Sequence, residues 1–286
     1  PQPIRVLIWD EQQPIQKEAY ENFLGNAVAD FLRASNNAKK GRPIVVKSVR
    51  LDDPEQGLGG NVLDNTDVLI WWGHQRHGEV KMDPTGKAIA ERVKAGKLHL
   101  IALHSAHFAT PFFAVMNERT KDDALKSLSK AEREKVQIKY IEPERRLYKK
   151  TEPRTPAWTK NVKSDGTVEL EIKLPSCVFS AVRNDGKPSH ITTVAKNHPI
   201  AKGVPASFDI PRTEVYDGPF YVPTPDAIVF QERWDDGAEF PAGCVWNVGK
   251  GKVFYFRPGH ENYPIFKQAE VQKIVENAVR WMGGKG

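Results

Sequence analysis

The chain has 286 residues, 40% of them hydrophobic, which is enough for one large α/β domain or two small ones with a real core. Its net charge is +6, and Lys and Arg concentrate in "KYIEPERRLYKKTEPR" (139–154), where glutamates interrupt them and no aromatic-interleaved stripe forms, so a nucleic-acid partner is not expected. No apolar run approaches the roughly 20 residues of a membrane helix, and Cys177 and Cys244, far apart, make neither a disulfide framework nor a CxxC metal site.

"PQPIRVLIWD" lacks the layout of a signal peptide, so a cytoplasmic location is expected, with export after removal of a leader as the alternative. Within it, "IRVLIWD" (4–10) reads as a strand. Residues 18–35 carry Tyr20, Phe23, Leu24, Val28, Phe31 and Leu32 at helical spacing. "PIVVKSVRL" (43–51) and the fully apolar "DVLIWWG" (67–73) follow as strands, and Trp71 and Trp72 are expected in the core. A helix over 86–97 leads to the strand "LHLIAL" (98–103), and "FATPFFAVM" (108–116) begins a helix that Pro111 interrupts near its first turn. Strands alternating with helices predict a doubly wound α/β fold, a mostly parallel sheet with helices on both faces.

The pattern loosens at about 120–175, which reads as a charged insertion in a single domain spanning 1–286. There "DDALKSLSKAEREKV" looks helical, while "YIEPERRLYKK" and "TVELEIKL" look like strands. A strand–turn–strand series over "TEVYDGPFYV", "AIVFQERW", "GCVWNV" and "GKVFYF" closes the sheet, and 269–282 forms a terminal amphipathic helix. "GLGG" (57–60) neither follows a strand nor opens a helix, so it is no dinucleotide loop.

Polar residues collect where the strands end. Asp10 ends the first, His74, His77 and Glu79 follow "IWWG", His104, Ser105 and His107 follow "LIAL", and Arg257, His260 and Glu261 follow "KVFYF". In a parallel sheet these ends share one rim, where ligands bind. Imidazoles with a carboxylate suit a divalent transition metal, above all zinc. His74, His104 and His260 are the leading ligand candidates, with His107 next. His77, Glu79, Asp10 and Glu261 are candidate acid–base or supporting groups. Glu214, Tyr216 and Arg257 are candidates for holding substrate hydroxyls. Ser105 sits at a strand-to-helix turn but lacks the flanking glycines of a nucleophile elbow, and a metal-free serine hydrolase is the weakest reading.

In this order "WWGHQRHGEV", "LHSAHF", "EVYDGPFYVPTPD" and "GKVFYFRPGHENYP" resemble the ThuA-like family, named for trehalose utilisation. The resemblance runs from "IRVLIWDE" to the terminal helix. It implies a flavodoxin-like sheet similar to that of class I glutamine amidotransferases. By position, Ser105 stands where those proteins carry their cysteine, and His260 and Glu261 fall near their His/Glu segment. Without the thiol, glutaminase activity is not expected. The resemblance implies a small-molecule carbohydrate partner: a disaccharide, a glycoside or a keto-sugar. A metal-supported enzyme is the first expectation, a non-catalytic sugar-binding or regulatory protein the second. A homo-oligomer is compatible with either.

Overall fold

The computed structural model describes residues 2–38 and 41–284. Five strands pair in parallel, in the spatial order β2 (Ile44–Arg50), β1 (Ile4–Asp10), β3 (Val68–Trp72), β4 (His99–Leu103) and β14 (Gly251–Phe256). Both faces of β1, β3, β4 and β14 are buried, as their apolar runs require, while the edge strand β2 exposes Val45, Lys47 and Arg50. On β1, Ile4, Val6 and Ile8 face one layer, which holds α1 (Leu24–Ala34) and α5 (Ala269–Gly283). Leu7 and Trp9 face the other, which holds α2 (Lys87–Lys94) and α3 (Thr110–Lys126). Trp71 and Trp72 are both buried: Trp71 stacks on Trp9 at 3.8 Å between ring centroids, and Trp72 Nε1–H donates to the Gly259 carbonyl at 2.9 Å.

The sheet is mixed rather than mostly parallel. Beyond β14 it continues through β13 (Glu239–Val248), β12 (Ala227–Arg233), β9 (Ser189–Thr193) and β10 (Ser207–Ile210), each antiparallel to its neighbour. Connection length dictates this, because two residues between β13 and β14 can form only a hairpin. Gly249 makes that turn at φ +58°, where a Cβ would lie 2.4 Å from the Lys94 carbonyl oxygen.

Other boundaries also shift. Residues 18–23 are not part of α1, because Phe23, just before it, sits at φ +63° and breaks the helical path. Pro111 lies in the first turn of α3, where its missing N–H costs nothing, so it opens that helix rather than interrupting it. The predicted helix over 122–136 splits: Ser129 begins α4 (Lys130–Glu134) with a capping box to Glu132.

The charged insertion forms a three-stranded sheet in the order β5 (Val136–Ile141), β7 (Val168–Lys173), β6 (Ala157–Val162). Val168, Leu170 and Ile172 pack with Ala124 and Leu128, which ties the insertion to the end of α3. "ERRLYKK" is irregular rather than strand. A two-stranded ribbon, β8 (Ala181–Arg183) with β11 (Val215–Asp217), completes the fold. Among the described residues, no helix is long and apolar enough to cross a membrane.

Candidate active site at the carboxyl ends of the parallel strands

Three imidazoles meet beyond β3, β4 and β14. The ring centroids of His74, His104 and His260 lie 5.2 to 5.9 Å apart. Glu214, immediately before β11, joins them, and ligand atoms of His74, Glu214 and His260 all fall within 4.8 Å of one another.

Each ring is oriented by a partner. His74 Nδ1–H donates to both oxygens of Glu261, at 2.7 and 2.9 Å. Burial opposes ionisation of Glu261, but the hydrogen bond and charge of His74 outweigh it and hold the carboxyl down at about 2. The same pairing raises His74 against its own burial. His74 therefore keeps Nε2 as its free nitrogen whenever the ring is neutral. His104 Nδ1–H donates to the Arg257 carbonyl at 2.8 Å, which leaves Nε2 as an acceptor that the Tyr216 hydroxyl approaches at 3.5 Å. That Nε2 lies 3.0 Å from Glu214 Oε2, yet Glu214 Oε2 has no aligned hydrogen bond. Burial, reinforced by the other histidines and Arg257, holds His104 well below the usual histidine range, while burial pushes Glu214 up. Asn184 Nδ2–H donates to His260 Nε2 at 3.2 Å, and Tyr263 fixes that amide by donating to its Oδ1 at 2.7 Å. His260 Nδ1 is buried without a hydrogen-bond partner, 3.3 Å from Glu261 Oε2.

The strained residue at the strand-to-helix turn is His104, at φ +52°, and not Ser105. Ser105 instead shares a 3.1 Å hydrogen bond with the Tyr216 hydroxyl. No base contacts it, so the elbow presents an imidazole where a nucleophile would stand.

The other predicted site residues separate into two groups. His77 and His107 line the same cleft, of about 550 Å³, as His74, Ser105, Glu214 and Tyr216. His104, a leading ligand candidate, and His107 both lie outside the metal-competent set of His74, Glu214 and His260; His107 Nδ1–H donates to the Cys177 carbonyl at 2.6 Å. Asp10, Glu79 and Arg257 do not line the cleft. Asp10 accepts from the backbone of Gln12 and Gly25 and from Gln16, so it anchors the start of α1 instead of exchanging protons with a substrate. Glu79 is exposed and paired with Arg76. Arg257 is fully buried in an ion pair with Glu232 and donates to the Glu214 carbonyl at 2.6 Å, so it positions Glu214 and offers no surface to a ligand.

Glu11 escaped the sequence reading, although it directly follows Asp10. Its buried carboxylate accepts from the backbone N–H groups of His74, Gln75 and Arg76, at 2.5 to 3.1 Å, and clamps the loop that carries His74. Glu11→Gln turns an amide donor onto these donors. The expected result is a loss of about 2 kcal/mol and faster hydrogen exchange at residues 74–76, read by denaturation and by amide exchange.

Six of the eight histidines are shifted downward. Burial, the main cause, brings His77 and His99 to about 4 and His107 to about 3. His74 and the exposed His190 are shifted upward and oppose them. A group lowered on folding takes its proton first in the unfolded chain. Stability is therefore full above the ordinary histidine value of 6.5 and falls as the pH drops from there toward 4. Urea denaturation at about pH 7.5 and about pH 5 should show the loss, at up to roughly 1.4 kcal/mol per pH unit per titrating group.

The family model for ThuA, described as trehalose utilisation, matches residues 5–282. Among solved structures, a ThuA-like protein from Bacteroides uniformis is 15% identical with a TM-score of 0.59, over 98% of this chain and 92% of its own. A ThuA-like protein from Parabacteroides merdae is 16% identical with a TM-score of 0.58, over 99% and 90%. Likeness at this identity shows a shared fold. No curated protein sequence matches significantly. Since the family match spans nearly the whole chain, the protein belongs to the ThuA family.

Proposed function

We propose that the protein is a metal-supported enzyme that acts on a disaccharide, glycoside or keto-sugar at the His74–Glu214–His260 cluster. The family carries a carbohydrate role related to trehalose utilisation. The carrying observation is that ligand atoms of His74, Glu214 and His260 lie within 4.8 Å of one another, with Glu214 Oε2 buried without an aligned hydrogen bond 3.0 Å from His104 Nε2. A cation beside both relieves that arrangement. The donor set of imidazoles and one carboxylate is that of zinc, and Glu261 behind His74 is the supporting carboxylate such a ligand commonly has. A bound divalent metal would polarise a carbonyl or hydroxyl oxygen of the sugar.

The chain's own residues supply the rest. Glu261 keeps His74 oriented, and Arg257 and its carbonyl hold Glu214 and His104. The Tyr216 hydroxyl and Ser105 offer a hydrogen-bonding pair to a sugar hydroxyl. His77, neutral near pH 7, can accept a proton at the cleft wall. The strand order β2-β1-β3-β4-β14 supports a flavodoxin-like, amidotransferase-like ancestry, and the insertion reads as an arm of one domain.

Metal-free acid–base chemistry or simple sugar binding is the second reading, and Asn184 favours it. Its hydrogen bond to Nε2 leaves the proton of neutral His260 on Nδ1, which makes the ring a donor, and ligation through Nε2 would displace Asn184. Elemental analysis of wild type beside Glu214→Gln separates the readings. Stoichiometric zinc lost in the variant supports the first; metal-free wild type that stays so after metal is added back supports the second.

A further inference from the structure

The cleft extends outward from the cluster to a lip of different chemistry. Leu147, from the insertion, is 44% exposed, and Val182, on β8, is 41% exposed. Both line the same cleft as His74, Glu214 and Tyr216. Val182 pairs across the ribbon with Tyr216, so the lip is one strand away from the floor. In a ligand cleft such aliphatic side chains offer apolar contact to whatever is bound.

The lip is held in place. Tyr148 N–H donates to the Phe179 carbonyl at 3.1 Å, and the Tyr148 hydroxyl donates to the Glu144 carbonyl at 2.5 Å. The Arg145 guanidinium lies 3.5 Å over the Phe113 ring. The cations beside Leu147 are also engaged: Arg146 pairs with Glu144 and Glu152, each at 2.7 Å, and Arg145 donates to the Ser176 carbonyl. The outer cleft thus presents two aliphatic side chains beside the Arg145 and Arg146 guanidinium groups, which also line it and are engaged by protein partners.

We propose that Leu147 and Val182 form an apolar subsite that seats the aryl or alkyl aglycone of a glycoside, with the sugar ring against the imidazole–carboxylate cluster. This rests on the carbohydrate reading above. It gives the charged insertion a role in specificity, because the insertion supplies Leu147.

The test is calorimetric titration of wild type, Leu147→Ser and Val182→Ser with phenyl glucoside and methyl glucoside of the same anomeric configuration. Wild type should bind the phenyl compound about tenfold more tightly. Each variant should lose most of that preference and hold methyl glucoside within about twofold of wild type. Both side chains are substantially exposed, so the variants should fold, and circular dichroism checks it. Equal binding of the two glycosides by wild type, or equal weakening of both in the variants, overturns the subsite and leaves the carbohydrate reading standing. Binding of neither by wild type overturns the subsite and leaves the disaccharide and keto-sugar readings to the metal analysis above. A variant that changes only the oligomeric state assigns the lip to self-association and also overturns the subsite.

Discussion

Glu214→Gln should lower the affinity of the cluster for zinc or cobalt by more than about a hundredfold, since removing even a supporting carboxylate typically costs 10–100-fold. The reasoning starts from atoms. Glu214 is the only carboxylate in the metal-competent set, and its Oε2 is the oxygen that stands unpartnered beside His104 Nε2. Glutamine keeps the shape, removes the negative charge, and offers an amide N–H that His104 Nε2 can accept. The metal-free fold should therefore not suffer, which separates loss of metal from loss of structure. Competition with a chromophoric chelator measures the affinity, and the thermal midpoint of the metal-free proteins provides the control. Unchanged affinity in the variant would sink the assigned ligand set.

Arg257→Met should cost about 3–5 kcal/mol, the usual consequence of stranding one partner of a buried ion pair. Here the stranded partner is Glu232, which is as inaccessible as Arg257 itself and keeps only Ser189 as a hydrogen-bond donor. At this chain length the thermal midpoint should fall by roughly 5–8 °C. The double variant Arg257→Met/Glu232→Leu should recover most of the loss, because neither charge is then left unpaired in the core. A single variant as stable as wild type would show that the pair is not the scaffold described. A weaker zinc affinity in the double variant, with stability recovered, would agree with a residue that positions Glu214 without touching the ligand.

The parallel half of the sheet could be read from the sequence because burial on both faces writes itself as unbroken apolar runs, as in "VLIWW" and "HLIAL". The polar residues at the ends of those runs were legible for the same reason, and His74, His104 and His260 do converge. What one strand end does with adjacent residues was not legible. Asp10 and Glu11 are chemically alike, but the chain directs the first to α1 and the second to the loop after β3. No local pattern distinguishes them. Arg257 looked like a substrate contact because it follows "KVFYF" at the rim; its burial depends on an ion pair with Glu232 on β12, and no sequence pattern pairs those two side chains. The strained backbone of His104 was equally invisible, since positive φ at a residue other than glycine is imposed by tertiary contacts.

The His74–Glu261 pair joins positions 187 apart in the sequence. Trp72 and Gly259, which pin the same two loops together, are also separated by 187 residues. Such contacts form only after β14 has paired with β4, and that pairing is itself distant in sequence. During synthesis the ribosome releases His74 and His104 long before the partners that orient them. The cluster should thus be among the last features to mature, and a nascent chain halted before residue 251 lacks both it and the strand that builds it. Ligand binding would then serve as a sensor of completed folding in refolding or translation-arrest experiments.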